Sequence, residues 1–230
     1  MIGTLINVVL IFVGCGIGLL LRKGIPDRMK DAVMMGMGLC VILIGINGAI
    51  KTQDTLCVIV SMAIGGMIGS ALDIEKRLDQ LGKFAERKLG ANASSGTSIS
   101  KGFVTASLVY CVGAMAIVGA IDSGIRGDHT TLIAKGIIDG VTAIIFTSTM
   151  GIGVALSTVA VFVYQGAIAL LANWVSPILT NAVITEMGAV GSLLVIGIGL
   201  NMLYDKHIPV GNMLPAIFLP ILYLPIAGLF

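Results

Sequence analysis

Apolar runs of about twenty residues recur along the chain, separated by short polar connectors, and a run of that length crosses the hydrocarbon core of a bilayer as an α-helix. The pattern predicts helices over about 2–21, 32–50, 55–72, 103–121, 154–172, 182–203 and 210–228, with a shorter, more polar element over 132–150. The predicted fold class is an all-α, polytopic transmembrane helical bundle. It has eight spans if the polar element crosses and seven if it re-enters, with a short or broken helix near 132–153. After the third run the pattern changes: Ile74, Leu78, Leu81, Ala85 and Leu89 recur at helical spacing among charges. That is an amphipathic helix lying at an interface, followed by a Ser/Gly/Ala-rich linker over 92–100.

Composition agrees with the pattern. The 230 residues are 57% hydrophobic and 11% charged, against about 25% charged in soluble domains, which leaves no room for a large soluble domain. Thirty-one glycines fit membrane helices that pack closely. Gly14 to Gly18, Gly65 to Gly69 and Gly136 to Gly140 have the GxxxG spacing, which serves packing within one chain or a homodimer through Gly-rich faces. The four cysteines lie in apolar runs without CxxC spacing and are expected to be small packing residues. The N-terminus lacks the basic region of a signal peptide, so the first span is expected to be retained. No HExxH, GxSxG or Walker sequence is present, which points away from an enzyme, a cofactor or direct ATP drive, and no nucleic-acid-binding constellation is visible.

Candidate chemistry concentrates in Lys135 to Gly151, KGIIDGVTAIIFTSTMG. An ionisable group at membrane depth is costly and normally faces a bundle interior or a water-filled cavity. Asp139 is therefore the candidate proton or cation site. Thr142, Thr147, Ser148, Thr149 and Gly151 are candidates to line a solute site, and Asn47, Gln165 and Asn201 to add hydrogen bonds. The plainer alternative is that Asp139 pairs with Lys135 one turn earlier and only fixes a helix end. Trp174 suits an interfacial anchor, and Pro215, Pro220 and Pro225 invite kinks in the last span.

The chain reads as one membrane domain over 1–230. Within it lie a first three-helix repeat (1–72), a cytoplasmic amphipathic helix and linker (73–100), a fourth span with the short polar helix (103–153), and a second repeat (154–230). The repeat rests on matches such as Pro26 with Pro177 and Gly45-x-Asn47 with Gly199-x-Asn201. An odd offset between the halves would invert their topology, as in many transporters. Basic residues concentrate in loops 22–31 and 75–101, which makes those loops cytoplasmic and puts the N-terminus outside.

The stretches DGVTAIIFTSTMGIGVALS and YQGAIALLA, the N-terminal MIGTLINVVLIFVGCGIGLLLRKGIP and the GGMIGSALDIEKRLDQLG segment together resemble the YqgA/YdfK-like family of uncharacterised bacterial membrane proteins. The resemblance implies a multi-pass protein of the bacterial inner membrane and at most a transport role, with no substrate and no binding residues to carry over. Sequence and resemblance together point to a secondary transporter or facilitator of a small ion or metabolite, with a midplane site near a broken helix. The alternatives are a channel or a structural or regulatory membrane subunit. The expected partners are the lipid bilayer, a small solute or ion, and a second copy of the chain.

Overall fold

A computed structural model describes residues 1–22, 27–80, 99–204 and 208–227. Its elements are α1 (Ile2–Arg22), α2 (Asp27–Ala49), α3 (Thr55–Leu72), α4 (Ile99–Cys111), α5 (Ala114–Ile125), α6 (Thr130–Met150), α7 (Gly153–Leu170), a single turn at Ala172–Val175, α8 (Asn181–Leu203), a 3₁₀ helix (Val210–Phe218) and α9 (Pro220–Ala227). Among the described residues every regular element is helical, and the protein is an all-α polytopic membrane bundle. Six helices are long and apolar enough to cross a membrane, and the bent pair α4/α5 brings the number to seven if it counts as one span.

The helices are turned inside out relative to a soluble protein. On α1 the buried positions are Gly3, Thr4, Asn7, Ile11, Gly14, Cys15 and Gly18, whereas Leu5, Val9, Phe12, Val13, Leu20 and Leu21 are exposed. On α6 the small and polar residues Lys135, Gly136, Asp139, Gly140, Ala143 and Thr147 face inward, and Ile133, Ile137, Ile138, Val141 and Ile145 face outward. Lipid tails reward that outward apolar surface, and small inward residues let helix backbones meet.

The polar element near 132–153 is not short. It forms all 21 residues of α6, and the break falls at Gly151 and Ile152, between α6 and α7. Its start is fixed by Asp128, whose carboxylate accepts the Thr130 backbone N–H at 2.9 Å. That hydrogen bond holds the Asp128 carboxyl below its usual range. The break inside a span lies elsewhere: the run read as one helix over 103–121 is α4 and α5, bent by 62°. Gly113, with φ +133, supplies the backbone conformation at that break. Ser100, read as linker, belongs to α4. In the last span, the three prolines fall in a 3₁₀ segment followed by a short α-helix, since each ring removes a backbone donor. Of the amphipathic segment, residues 74–80 are helical; the remainder to Leu89, and the linker up to residue 98, lie outside the described residues.

The chain forms two compact units, 1–34 with 76–111 and 115–172, and 35–75 with 112–114 and 173–230. In the first unit α1 packs along α6 and α4 along α7. A Cβ on Gly14 would strike the Gly140 carbonyl, one on Gly18 the Ile144 carbonyl, and one on Gly136 would stand 2.9 Å from Asn7 Cα. In the second unit α3 packs on the 3₁₀ helix, with Gly65 against Ala216 and Gly69 against Asn212. All three GxxxG spacings thus pack within the chain, while Gly16, Gly36 and Gly66 meet nothing within 4 Å.

Candidate functional site

The inward stripe of α6 places Lys135 and Asp139 one turn apart at the middle of the helix. Their side chains form an ion pair and hydrogen bond, and both residues are 6% exposed. A buried pair of this kind holds together only where charge and hydrogen bonds are well matched, because desolvating two ions costs several kcal/mol each. Asp139 lies twelve residues before Gly151, about 18 Å along the axis at 1.5 Å per residue. The pairing expected by the plainer alternative is present, but at mid-span and not at a helix end.

Around this pair the first unit gathers neutral polar groups from three other helices. Asn7 of α1, fully buried, donates from Nδ2 to Oε1 of the equally buried Gln165 of α7 at 3.1 Å. Asn7 packs against Gly136, the residue next to Lys135. Tyr110, in the last turn of α4, is fully buried, stacks on Phe146 with ring centroids 6.3 Å apart, and has Asp139 among its electrostatic neighbours. Thr4 sits one turn before Asn7, and Thr147 lies beside Cys15 and Gly18 of α1.

Several of these groups have hydrogen-bonding capacity to spare. Among the described residues, the buried side-chain atoms without a partner are Thr4 Oγ1, Asn7 Oδ1, Ser107 Oγ, Tyr110 OH, Thr147 Oγ1 and Gln165 Nε2, and all six belong to the first unit. Buried polar atoms are normally satisfied, and an unpaired one costs about 1–3 kcal/mol. Asn7 Oδ1 and Gln165 Nε2 are the unspent ends of the amide pair described above, whereas Thr147 lies two turns, about 12 Å, along α6 from Asp139. No group of three or more His, Cys, Asp or Glu suited to a metal ion occurs among the described residues.

Residues 2–224 match the family described as "Protein of unknown function (DUF554)". The chain belongs to the DUF554 family. It is 33% identical over 224 residues to "Uncharacterized membrane protein YdfK" of Bacillus subtilis (strain 168), an alignment covering 96% of this chain and 94% of that protein. It is 29% identical over 220 residues to "Uncharacterized protein YqgA" of Escherichia coli (strain K12), covering 95% and 94%. No solved structure matches the chain. The resemblance noted from the sequence therefore holds over the whole span.

Of the residues singled out from this DUF554 sequence, Asp139 and Gln165 fall in the buried polar region around the ion pair, and Thr147 is buried two turns further along α6, against Gly18 of α1. Thr142, Ser148 and Thr149 are on α6 but are turned back on it. Thr142 Oγ1 donates to the Ile138 carbonyl at 2.8 Å, Ser148 Oγ to Ile145 at 2.8 Å, and Thr149 Oγ1 to Ile145 and Phe146 at 3.1 Å. Gly151 caps α6: its N–H donates to the Thr147 carbonyl, its φ is +78, and the Arg22 guanidinium lies over it, a favourable place for a cation at a helix C-terminus.

Asn47 and Asn201 belong to the second unit. Asn47 is exposed. Asn201 spends its amide on the backbone of Ile208, donating to the carbonyl at 2.8 Å and accepting from the N–H at 2.7 Å. The site members that sequence reasoning passed over are Asn7, Lys135, Thr4, Ser107 and Tyr110. Asn7 carried a signal, as the one strongly polar residue of the first span. Tyr110 carried none, since an aromatic in an apolar run is ordinary.

Proposed function

We propose that this protein is a secondary transporter or facilitator of a small ion or metabolite in the bacterial inner membrane, and that its solute site is the polar cluster of the first unit. The observation that carries the reading is the set of partnerless buried atoms on Thr4, Asn7, Tyr110 and Gln165, in the unit that buries the Lys135–Asp139 pair inside membrane-spanning helices. A group that binds but performs no covalent chemistry suits such a set, so the reading is of a binding site and not of an enzyme. Placement at the middle of α6 supports a midplane site; the Gly151 break, a full half-span away, is not part of it. The bent pair α4/α5, which breaks directly after Tyr110 and Cys111, supplies the discontinuous helix that transporter sites use. The N-terminus is read as outside and the basic loops as cytoplasmic.

The test is thermal stability of the purified protein against a panel of small solutes, followed by counterflow in proteoliposomes. Wild type is expected to be stabilised by about 2.7 kcal/mol at one hundred times the dissociation constant of its solute. Asn7→Leu/Gln165→Leu should fold and lose that shift. Saturable counterflow supports a transporter; steady conductance would favour a channel. A variant that transports like wild type would remove the cluster from the site, and no solute response at all would favour a structural or regulatory subunit.

A further inference from the structure

We infer that the solute is a small anion that moves together with a proton, Lys135 holding the anion and Asp139 the proton. This rests on the transport reading above and names its substrate class. The first ground is the hydrogen-bond inventory. An ammonium has three N–H donors, and among the described residues Lys135 spends one, on Asp139. Gln165 Nε2 can only donate, and the hydroxyls of Thr4 and Tyr110 can donate or accept. The single partnerless atom that can only accept is Asn7 Oδ1. With two further Lys135 N–H groups and Gln165 Nε2 able only to donate, the balance fits an electron-rich ligand such as a carboxylate; a cation would meet Lys135 and the Gln165 amide N–H groups.

The second ground is charge balance. The empty site is neutral, because Lys135 and Asp139 cancel. An anion entering alone would leave one net negative charge at membrane depth, where uncompensated charge is costly. If Asp139 takes a proton as the anion arrives, the loaded site holds an ammonium, a neutral acid and the anion, and is neutral again. The proton comes from solvent, no bond other than O–H is formed, and the Lys135 donor released by Asp139 passes to the anion. On α1, Asn7 packs against Gly136, the residue next to Lys135, and its Oδ1 is an unpaired acceptor. The helices packed on α6 are α1, α4 and α7. Of their titratable groups, Tyr110 and Cys111 of α4 lie near the pair, Cys15 of α1 lies near Tyr110 and Thr147, and Tyr164 of α7 lies near Cys111; none of these three helices carries a carboxylate.

The experiment uses the full chain in detergent with formate, acetate and phosphate as probes, and acetamide and sodium or potassium chloride as neutral and cationic comparisons. Thermal stabilisation and proton uptake in weakly buffered solution are read over a pH series. Wild type is expected to bind an anion about tenfold more tightly for each unit that pH falls while Asp139 is ionised, since only the protonated fraction is competent. It should take up about one proton per anion. Asp139→Asn, which mimics the neutral acid, should bind the anion without pH dependence or proton uptake, and the anion should restore its stability; a merely structural pair gives no such rescue. Anion binding without proton uptake in wild type would overturn the inference, and needs no variant to fold. Stabilisation by acetamide or a cation alone, lost in Asn7→Leu/Gln165→Leu, would also overturn it while leaving the transport reading intact. No response to any probe would sink both.

Discussion

The two units bury polar groups for opposite purposes. In the second, Glu186, Glu75, Asn212 and Asn201 are spent largely on loop backbone. Glu186 of α8, 2% exposed, accepts from Thr52 Oγ1 at 2.5 Å and from the N–H groups of Gln53 and Asp54 at 2.7 and 3.2 Å, closing the turn between α2 and α3. Glu75 accepts the Gly211 N–H at 2.6 Å while Asn212 accepts the Glu75 N–H at 2.8 Å, fixing the start of the 3₁₀ helix. In the first unit, polar side chains meet one another across helices, and six atoms are left over. Polar groups that close loops make a scaffold. Polar groups that face each other across membrane helices with capacity unspent are what the proposed site rests on.

The contrast can be broken most forcefully at the ion pair. Lys135→Met leaves Asp139 buried without its partner, which should cost about 3–5 kcal/mol in unfolding experiments in detergent. Lys135→Met/Asp139→Leu removes both charges and should recover most of that stability, because a buried pair is often no better than its apolar replacement. Neither variant should transport. A double variant that is stable and moves solute normally would show the pair to be incidental.

How much of this was legible in the sequence follows from what each signal measures. Apolar run length is a one-dimensional property set by bilayer thickness, so the helical class and most spans could be read directly. Asp139 and Gln165 stood out because polar residues are rare in such runs. What the sequence hides is the direction a side chain takes once neighbours are chosen. Ser148 and Thr149 look as suited to a solute as Thr147, yet they bond back to their own helix, while Thr147 is left facing α1. The break at Val112–Gly113 was missed for a similar reason: glycine is common throughout these helices, and nothing local distinguishes the one with φ +133. The two-unit division depends on contacts between distant residues, which no window along the chain contains.

Glu186→Ala comes next in size. It strips two backbone N–H groups and a hydroxyl of their acceptor, and should destabilise by about 3 kcal/mol, given about 1–3 kcal/mol for each buried group left unmet. Glu186→Gln keeps a carbonyl acceptor and should recover part of this. Folded Glu186→Ala protein should bind solute with wild-type affinity, and a large loss of affinity would make the second unit part of the site. Glycine substitutions report packing on a smaller scale. Gly14→Ala drives a methyl into the Gly140 carbonyl and should cost about 1–3 kcal/mol. Gly16→Ala meets nothing within 4 Å and should be neutral or stabilise by up to about 1 kcal/mol, since alanine loses less backbone freedom in a helix. If Gly16→Ala instead weakened a dimer seen in solution, the exposed face of α1 would be an interface.

The smallest effects test the two asparagines that the repeat would make equivalent. Asn201→Ala loses both hydrogen bonds to Ile208 and should cost about 1–2 kcal/mol, at about 1 kcal/mol for each ordinary bond. Asn47→Ala alters an exposed side chain and should stay within about 0.5 kcal/mol of wild type. Neither change should alter solute affinity or counterflow, since both residues lie in the unit whose polar groups serve its own backbone. Matched losses of affinity from the two variants would reverse that assignment. They would show a pair of symmetry-related amides at work in transport, and would move the site away from Asn7, Lys135, Asp139 and Gln165.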